Sequence, residues 1–274
     1  MARLIADKFA TWDAVCSLRF HTLKANEEQL NRIFADIYGL EDQLSFYVED
    51  RAVSVRKADL KREIKSLISY AIGTLLGRYS LDVPGIAYAG GKWESQRYVT
   101  VQPVADNILL LREEPDDIPD AAELFFRWVA TVYGRETLEE NISFIAQALG
   151  GEGAPRQIIR RYLFRDFYAD HLKIYQKRPI YWQLNSGKQG HFRALIYIHR
   201  YRPDLPNQLL TSYVQPQLKN ADSGELRKFE TQLRQLAMQS IHLDLDDGIQ
   251  ANYEKFPGLF TPIRLFLRES EGFL

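Results

Sequence analysis

Residues 177–201 read KRPIYWQLNSGKQGHFRALIYIHRY, and this stretch decides the fold class. Two β-rich runs flank Ser186-Gly-Lys-Gln-Gly190, in which Gly187 and Gly190 can take the positive φ of a hairpin turn. Ile180, Trp182 and Leu184 alternate with Tyr181, Gln183 and Asn185, and on the return run Phe192, Ala194, Ile196 and Ile198 share a face. The alternation predicts one face in the core, with Tyr181, Gln183 and Asn185 opposite it and Lys188 at the tip.

On either side of the hairpin the apolar period is helical. Leu23, Leu30, Ile33, Phe34 and Ile37 mark an amphipathic helix over about 18–38, ended by Gly39. A second runs from about 57 to 79, with Leu60, Ile64, Leu67, Ile68, Ala71, Leu75 and Leu76 on one face and a solvated run of Lys57, Lys61, Arg62 and Lys65. Residues 83–118 are rich in Gly, Pro and β-formers and read as loop with short strands. Helices are expected at 121–133, at 137–149 behind the capping box Thr137-Leu-Glu-Glu140, from Pro155 to about Tyr175, and at 224–240. The tail beyond His242 reads as loop with one strand. The expectation is α+β, mainly helical, with a small antiparallel hairpin and a β/loop insertion. Its parts are a helical segment 1–82, the insertion 83–118 and a helical region 119–274 that carries the hairpin.

Composition narrows the class. With 46% hydrophobic and 26% charged residues in 274, the chain is of globular type rather than disordered. Cys16 is alone, so no intrachain disulfide is available, and it is expected to be a buried helical residue. No run approaches the roughly 18 apolar residues of a membrane span. The protein is expected in the cytoplasm.

Sites of chemistry are near misses. Gly85-Ile-Ala-Tyr-Ala-Gly90-Gly-Lys92 places its lysine one residue late for a phosphate loop, with Trp93 where Ser or Thr would hold magnesium. Asp244-Leu-Asp246-Asp247-Gly248 starts like a calcium loop but has Lys255 where a bidentate Glu is needed. The five histidines have no partners at zinc spacing, Glu63-Ile-Lys65 lies within a helix, and there is no Gly-x-Ser-x-Gly or Pro-Pro. Hence no catalytic, cofactor-binding or metal residue is assigned.

The net charge of -1 conceals two blocks. Residues 101–154 sum to -8, whereas residues 155–203, with eleven Lys and Arg against Asp166 and Asp170, sum to +9 and hold ten aromatics. Basic residues interleaved with aromatics are one sequence form of a nucleic-acid surface. The expected DNA contacts are Lys177, Arg178, Lys188, Arg193, Arg200 and Arg202, with Tyr181, Gln183 and Asn185 at base edges, since a β-ribbon fits the major groove. The competing expectation is that the two blocks pair inside a helical scaffold.

The segments LKANEEQLNRIFADIYGLEDQLS, SYAIGTLLGRYSLDVPGIAYAGG, YGRETLEENISFIAQALGG, RDFYADHLKIYQKRPIYWQLNSGKQGHFRALIYIHRY and LDLDDGIQANYEKF resemble the C-terminal region of the PglX family. These are adenine-specific DNA methyltransferases of BREX phage-defence systems, related to single-chain restriction-modification enzymes. The resemblance implies a parent that transfers methyl from S-adenosylmethionine to adenine N6. It also implies double-stranded DNA, the catalytic domain, other BREX proteins and phage inhibitors as partners. The methyl-donor loop and Pro-Pro motif would then lie upstream. The chain is expected to be a fragment, designed or natural, or half of a split gene, without activity of its own. It would serve as a DNA target-recognition and clamp module, or alternatively as a scaffold docking the catalytic domain.

Overall fold

The structure, a computed structural model, describes residues 4–176, 178–187, 190–220 and 223–239. The tail, with the calcium-loop-like stretch, lies outside the described residues, as do Lys177 and Lys188.

Helix α1 (Ile5–Tyr38) begins well before the sequence period suggests and ends at Gly39, whose φ of 63° is the left-handed cap. Cys16 is buried on it. Helix α2 (Leu60–Leu75) is capped by Asp59, which accepts the Arg62 amide at 2.7 Å. Helices α3 (Ala121–Tyr133) and α4 (Leu138–Leu149) match the periodicity. The expected Thr137 cap is not made: its backbone is not extended (φ -104°, ψ 4°), and its hydroxyl turns back to donate to the Tyr133 and Gly134 carbonyls at the end of α3 while accepting from Asn141 Nδ2. The helix expected over 155–175 is broken at Asp166 into α5 (Pro155–Arg165) and α6 (Phe167–Ile174), turning Phe167 and His171 into the core.

Strands β1 (Leu109–Leu110), β2 (Tyr181–Asn185) and β3 (Arg193–Tyr197) form an antiparallel sheet in the order β1-β3-β2. The hairpin turn has Gly187 and Gly190 at positive φ, as the sequence predicts. The insertion supplies the third strand: Leu109 pairs with Leu195 and Leu110 with Ala194. The Asn107 side chain extends this pairing by accepting the Tyr197 amide and donating to the Tyr197 carbonyl, both at 3.0 Å.

Beyond the sheet lie α7 (Leu205–Leu209), a wide π turn at Leu210–Val214, α8 (Gln215–Asn220) and α9 (Gly224–Gln239). Pro216 accounts for the wide turn, since it has no N–H for the Ser212 carbonyl and its ring crowds that position.

Side-chain parity divides the sheet between two layers. Leu109, Tyr181, Leu195 and Tyr197 join the core of α2, α3, α4 and α5, which includes Ile68, Ile72, Phe125, Ile142, Ile145 and Ile159. Leu110, Trp182, Leu184, Ala194 and Ile196 join the core of α7 and α9, with Leu209, Leu226, Phe229 and Leu233. Both faces of the hairpin are therefore enclosed, whereas the alternation alone predicted one. The second cover is possible because α2 crosses close at Gly73, where a Cβ would lie 2.5 Å from the Tyr79 ring and 2.9 Å from the Tyr181 hydroxyl.

Candidate functional site

Part of the basic block is spent on contacts within the fold. Arg160, 5% exposed, pairs with Asp120 and Glu123 at the start of α3, where Asp120 also accepts the Glu123 amide as helix cap. Arg156 pairs with Glu139, and Arg165 with Glu113. Every one of these partners lies in the acidic stretch 101–154. The two blocks thus meet in space at three arginines, of which only Arg160 is buried.

The expected DNA contacts fall into distinct environments. Tyr181 and Gln183 are buried beneath α2 and α6, at 1% and 8% exposure, so neither presents an edge to solvent. The expectation that they face outward fails because the opposite sheet face is a core as well. Asn185 is half-buried, and its Oδ1 accepts the Gly187 amide at 3.1 Å, closing the turn. Arg193 donates to the Phe164 carbonyl at 2.7 Å and lies over the Phe164 ring. Arg200 donates to the carbonyls of Leu76, Val104 and Ala105 at 3.1, 2.9 and 3.2 Å. Burial lowers the pKa of both arginines from the usual value. Arg178 is exposed, and Arg202 is exposed with a 3.2 Å pair to Asp204. The structure therefore leaves Arg178 and Arg202 as surface cations and draws Tyr181, Gln183, Arg193 and Arg200 into internal contacts.

A second surface stands out on α1. Its first turn is anchored by the Ile5 amide, donated to Asn141 Oδ1 of α4 at 2.8 Å. Towards its other end Leu30, Ile33, Phe34 and Ile37 are 51%, 46%, 55% and 67% exposed. At i, i+3, i+4 and i+7 they form one stripe. The chain returns from Gly39 along a different side: Lys24 bonds Asp50 at 2.8 Å, Glu28 accepts the Val48 amide at 3.2 Å, and Lys57 lies over Phe20. At 100° per residue, the set that meets the return segment, Phe20, Lys24, Glu28 and Arg32, which lies over the Phe46 ring, and the apolar stripe are centred about 150° apart. The return segment leaves the stripe bare. Sequence reasoning found this stripe as the apolar side of an amphipathic helix and did not say what covers it. The signal for its exposure was the cap at Gly39 followed by a stretch lacking a matching apolar period.

Among the described residues no group of three or more His, Cys, Asp or Glu could hold a metal ion, and no helix is long and apolar enough to cross a membrane. No protein-family model matches the chain. Adenine-specific methyltransferase PglX of Lacticaseibacillus casei (strain Zhang) is 42% identical over 93% of the chain, which spans 24% of that protein. Adenine-specific methyltransferase BrxX of Escherichia coli O9:H4 (strain HS) is 36% identical over 73% of the chain, or 20% of its own length. The chain is thus homologous to one segment, no more than about a quarter of the full length, of the PglX and BrxX adenine-specific methyltransferases.

Proposed function

We propose that this chain is a scaffold segment of an adenine-specific DNA methyltransferase of a BREX system, and that it seats the catalytic part on the bare stripe of α1. The single observation that carries this reading is the exposure of Leu30, Ile33, Phe34 and Ile37 together on one helix face. Such a face matches helix-in-groove docking, and each residue is worth about 1.5–3 kcal/mol when fully buried. The occupant is drawn from the relatives, in which some three quarters of the length lies outside the matched segment. On this reading S-adenosylmethionine and the reacting adenine are bound by that larger part.

DNA contact by the segment belongs to the same proposal in a reduced form, favoured by the exposure of Arg178 and Arg202. These two contact backbone phosphates, and base readout by Tyr181 and Gln183 is not part of it. Phosphate contacts position a protein on DNA without reading sequence.

The docking test is to express the chain and the remaining methyltransferase as two polypeptides and measure their association. Ile33→Asp with Phe34→Asp should abolish the complex while leaving the melting temperature of the isolated chain unchanged. Association undiminished in the double variant refutes the docking role. For DNA, a salt titration on duplex should show Arg178→Ala reducing the log-log slope by about 0.9.

A further inference from the structure

A cleft of about 300 Å³ lies between the glycine-rich loop of the insertion and the end of the hairpin, lined in part by Tyr88, Trp93, His199, Arg200, Tyr201 and Arg202. The docking role uses none of these residues, and among them only Arg202 belongs to the proposed phosphate contacts. Trp93 lies parallel to Tyr98 with ring centroids 4.7 Å apart, and the Arg200 guanidinium sits 4.4 Å from the Trp93 centroid. Three backbone carbonyls clamp that guanidinium, so its plane and charge are held in place. No carboxylate among the described residues forms an ion pair with it.

The other polar groups of the lining divide sharply. Both carboxylate oxygens of Asp106 are engaged, by the Ile108 amide and the Tyr213 hydroxyl, and the Asn107 amide is committed to Tyr197. The His199 ring makes no hydrogen bond among the described residues, only an edge contact with Tyr197 at 5.3 Å. Burial, then the charge of Arg78, lowers its pKa, so the ring is neutral near pH 7 and offers one donor and one acceptor. What remains for a ligand is a planar cation, aromatic walls, one imidazole and the exposed Arg202, whose 3.2 Å pair to Asp204 and 3.4 Å bond to Gln208 are both at the surface.

We propose that this cleft binds a single nucleotide, its base between Arg200 and the tyrosine walls and hydrogen-bonded to His199, its phosphate on Arg202. Unstacked bases are held in this way by aromatic side chains and guanidinium planes, and Arg is suited to phosphate. The volume is at the lower end of small-ligand sites, roughly 300–1,000 Å³, and accommodates one base with its sugar but no duplex. Free nucleotides and an unpaired nucleotide of a DNA strand share this chemistry.

Calorimetry on the full chain decides the matter, with deoxyadenosine monophosphate, deoxyribose 5-phosphate, a single-stranded oligonucleotide and a duplex as probes. His199→Ala and Arg202→Ala are the variants, both at exposed positions, with melting curves to verify folding. The mononucleotide or the single strand should bind, weakening about tenfold or more in each variant, and deoxyribose 5-phosphate should bind far more weakly. A mononucleotide that binds as well as the strand identifies a free-nucleotide site; a strand that binds much more tightly identifies an unpaired DNA nucleotide. Absence of binding by every probe, binding indifferent to both variants, or equal binding of the base-free phosphate overturns the proposal. Since α1 is untouched, association with the remaining methyltransferase reports separately on the docking role.

Discussion

Mild acid should weaken this fold through His171. The residue is 2% exposed, its Nε2 accepts the Tyr181 amide at 3.2 Å, and its ring lies 4.7 Å from Tyr175 and 4.8 Å from Tyr181. Accepting that bond fixes the proton on Nδ1, which has no partner among the described residues. Burial, then the charge of Arg78, lowers the pKa from 6.5 to about 4. The unfolded chain takes up the proton near 6.5, but the folded chain resists it until about 4, so between these values protons favour unfolding. Stability from this group is complete above pH 6.5, falls as pH drops to about 4, and is then level. The whole gap is worth roughly 3 kcal/mol, of which about 2 kcal/mol is lost at pH 5. His171→Gln keeps an acceptor for Tyr181 without titrating. Urea unfolding at pH 7.5 and pH 5 should therefore show the wild type losing about 2 kcal/mol more than the variant. Carboxylates and His199 act alike in both proteins and cancel in the difference. Equal pH dependence in the two proteins would refute the reasoning.

Two further outcomes test the packing. Arg160→Ala strands Asp120 in the interior and should cost about 3–5 kcal/mol in chemical denaturation, whereas Arg165→Ala, which removes an exposed pair, should cost about 1 kcal/mol or less. Asn107→Ala removes both bonds to the Tyr197 backbone and should cost about 2–3 kcal/mol, with faster amide exchange at Tyr197 as the local readout.

Local order was legible wherever a short window contains its own cause. Helix α3 occupies the residues its apolar period marks, Gly39 stops α1, and the hairpin turn sits on Gly187 and Gly190. Errors arose where the deciding partner is remote. Tyr181 and Gln183 look like a solvent face until Gly73 lets α2 close over them, a contact more than 100 residues away in sequence. Leu30, Ile33, Phe34 and Ile37 show how apolar a face is but not whether the chain supplies its cover. The arginines of 155–203 could be read as a surface or as internal pairs, and only the position of 101–154 in space shows that Arg160 is buried in a pair while Arg156 and Arg165 pair at the surface. Thr137 carried the signature of a cap, but its side chain is turned back onto the end of α3.

The sheet is a wall shared by two rooms. Removing α7 and α9 would bare Trp182, Leu184, Ala194 and Ile196, and removing the helices on the other side would bare Tyr181, Leu195 and Tyr197. Neither layer can melt alone without opening the interior of the other, so the two are bound into one cooperative transition. The slowest-exchanging amides should accordingly lie in β3, the middle strand, which is released only when both layers have gone.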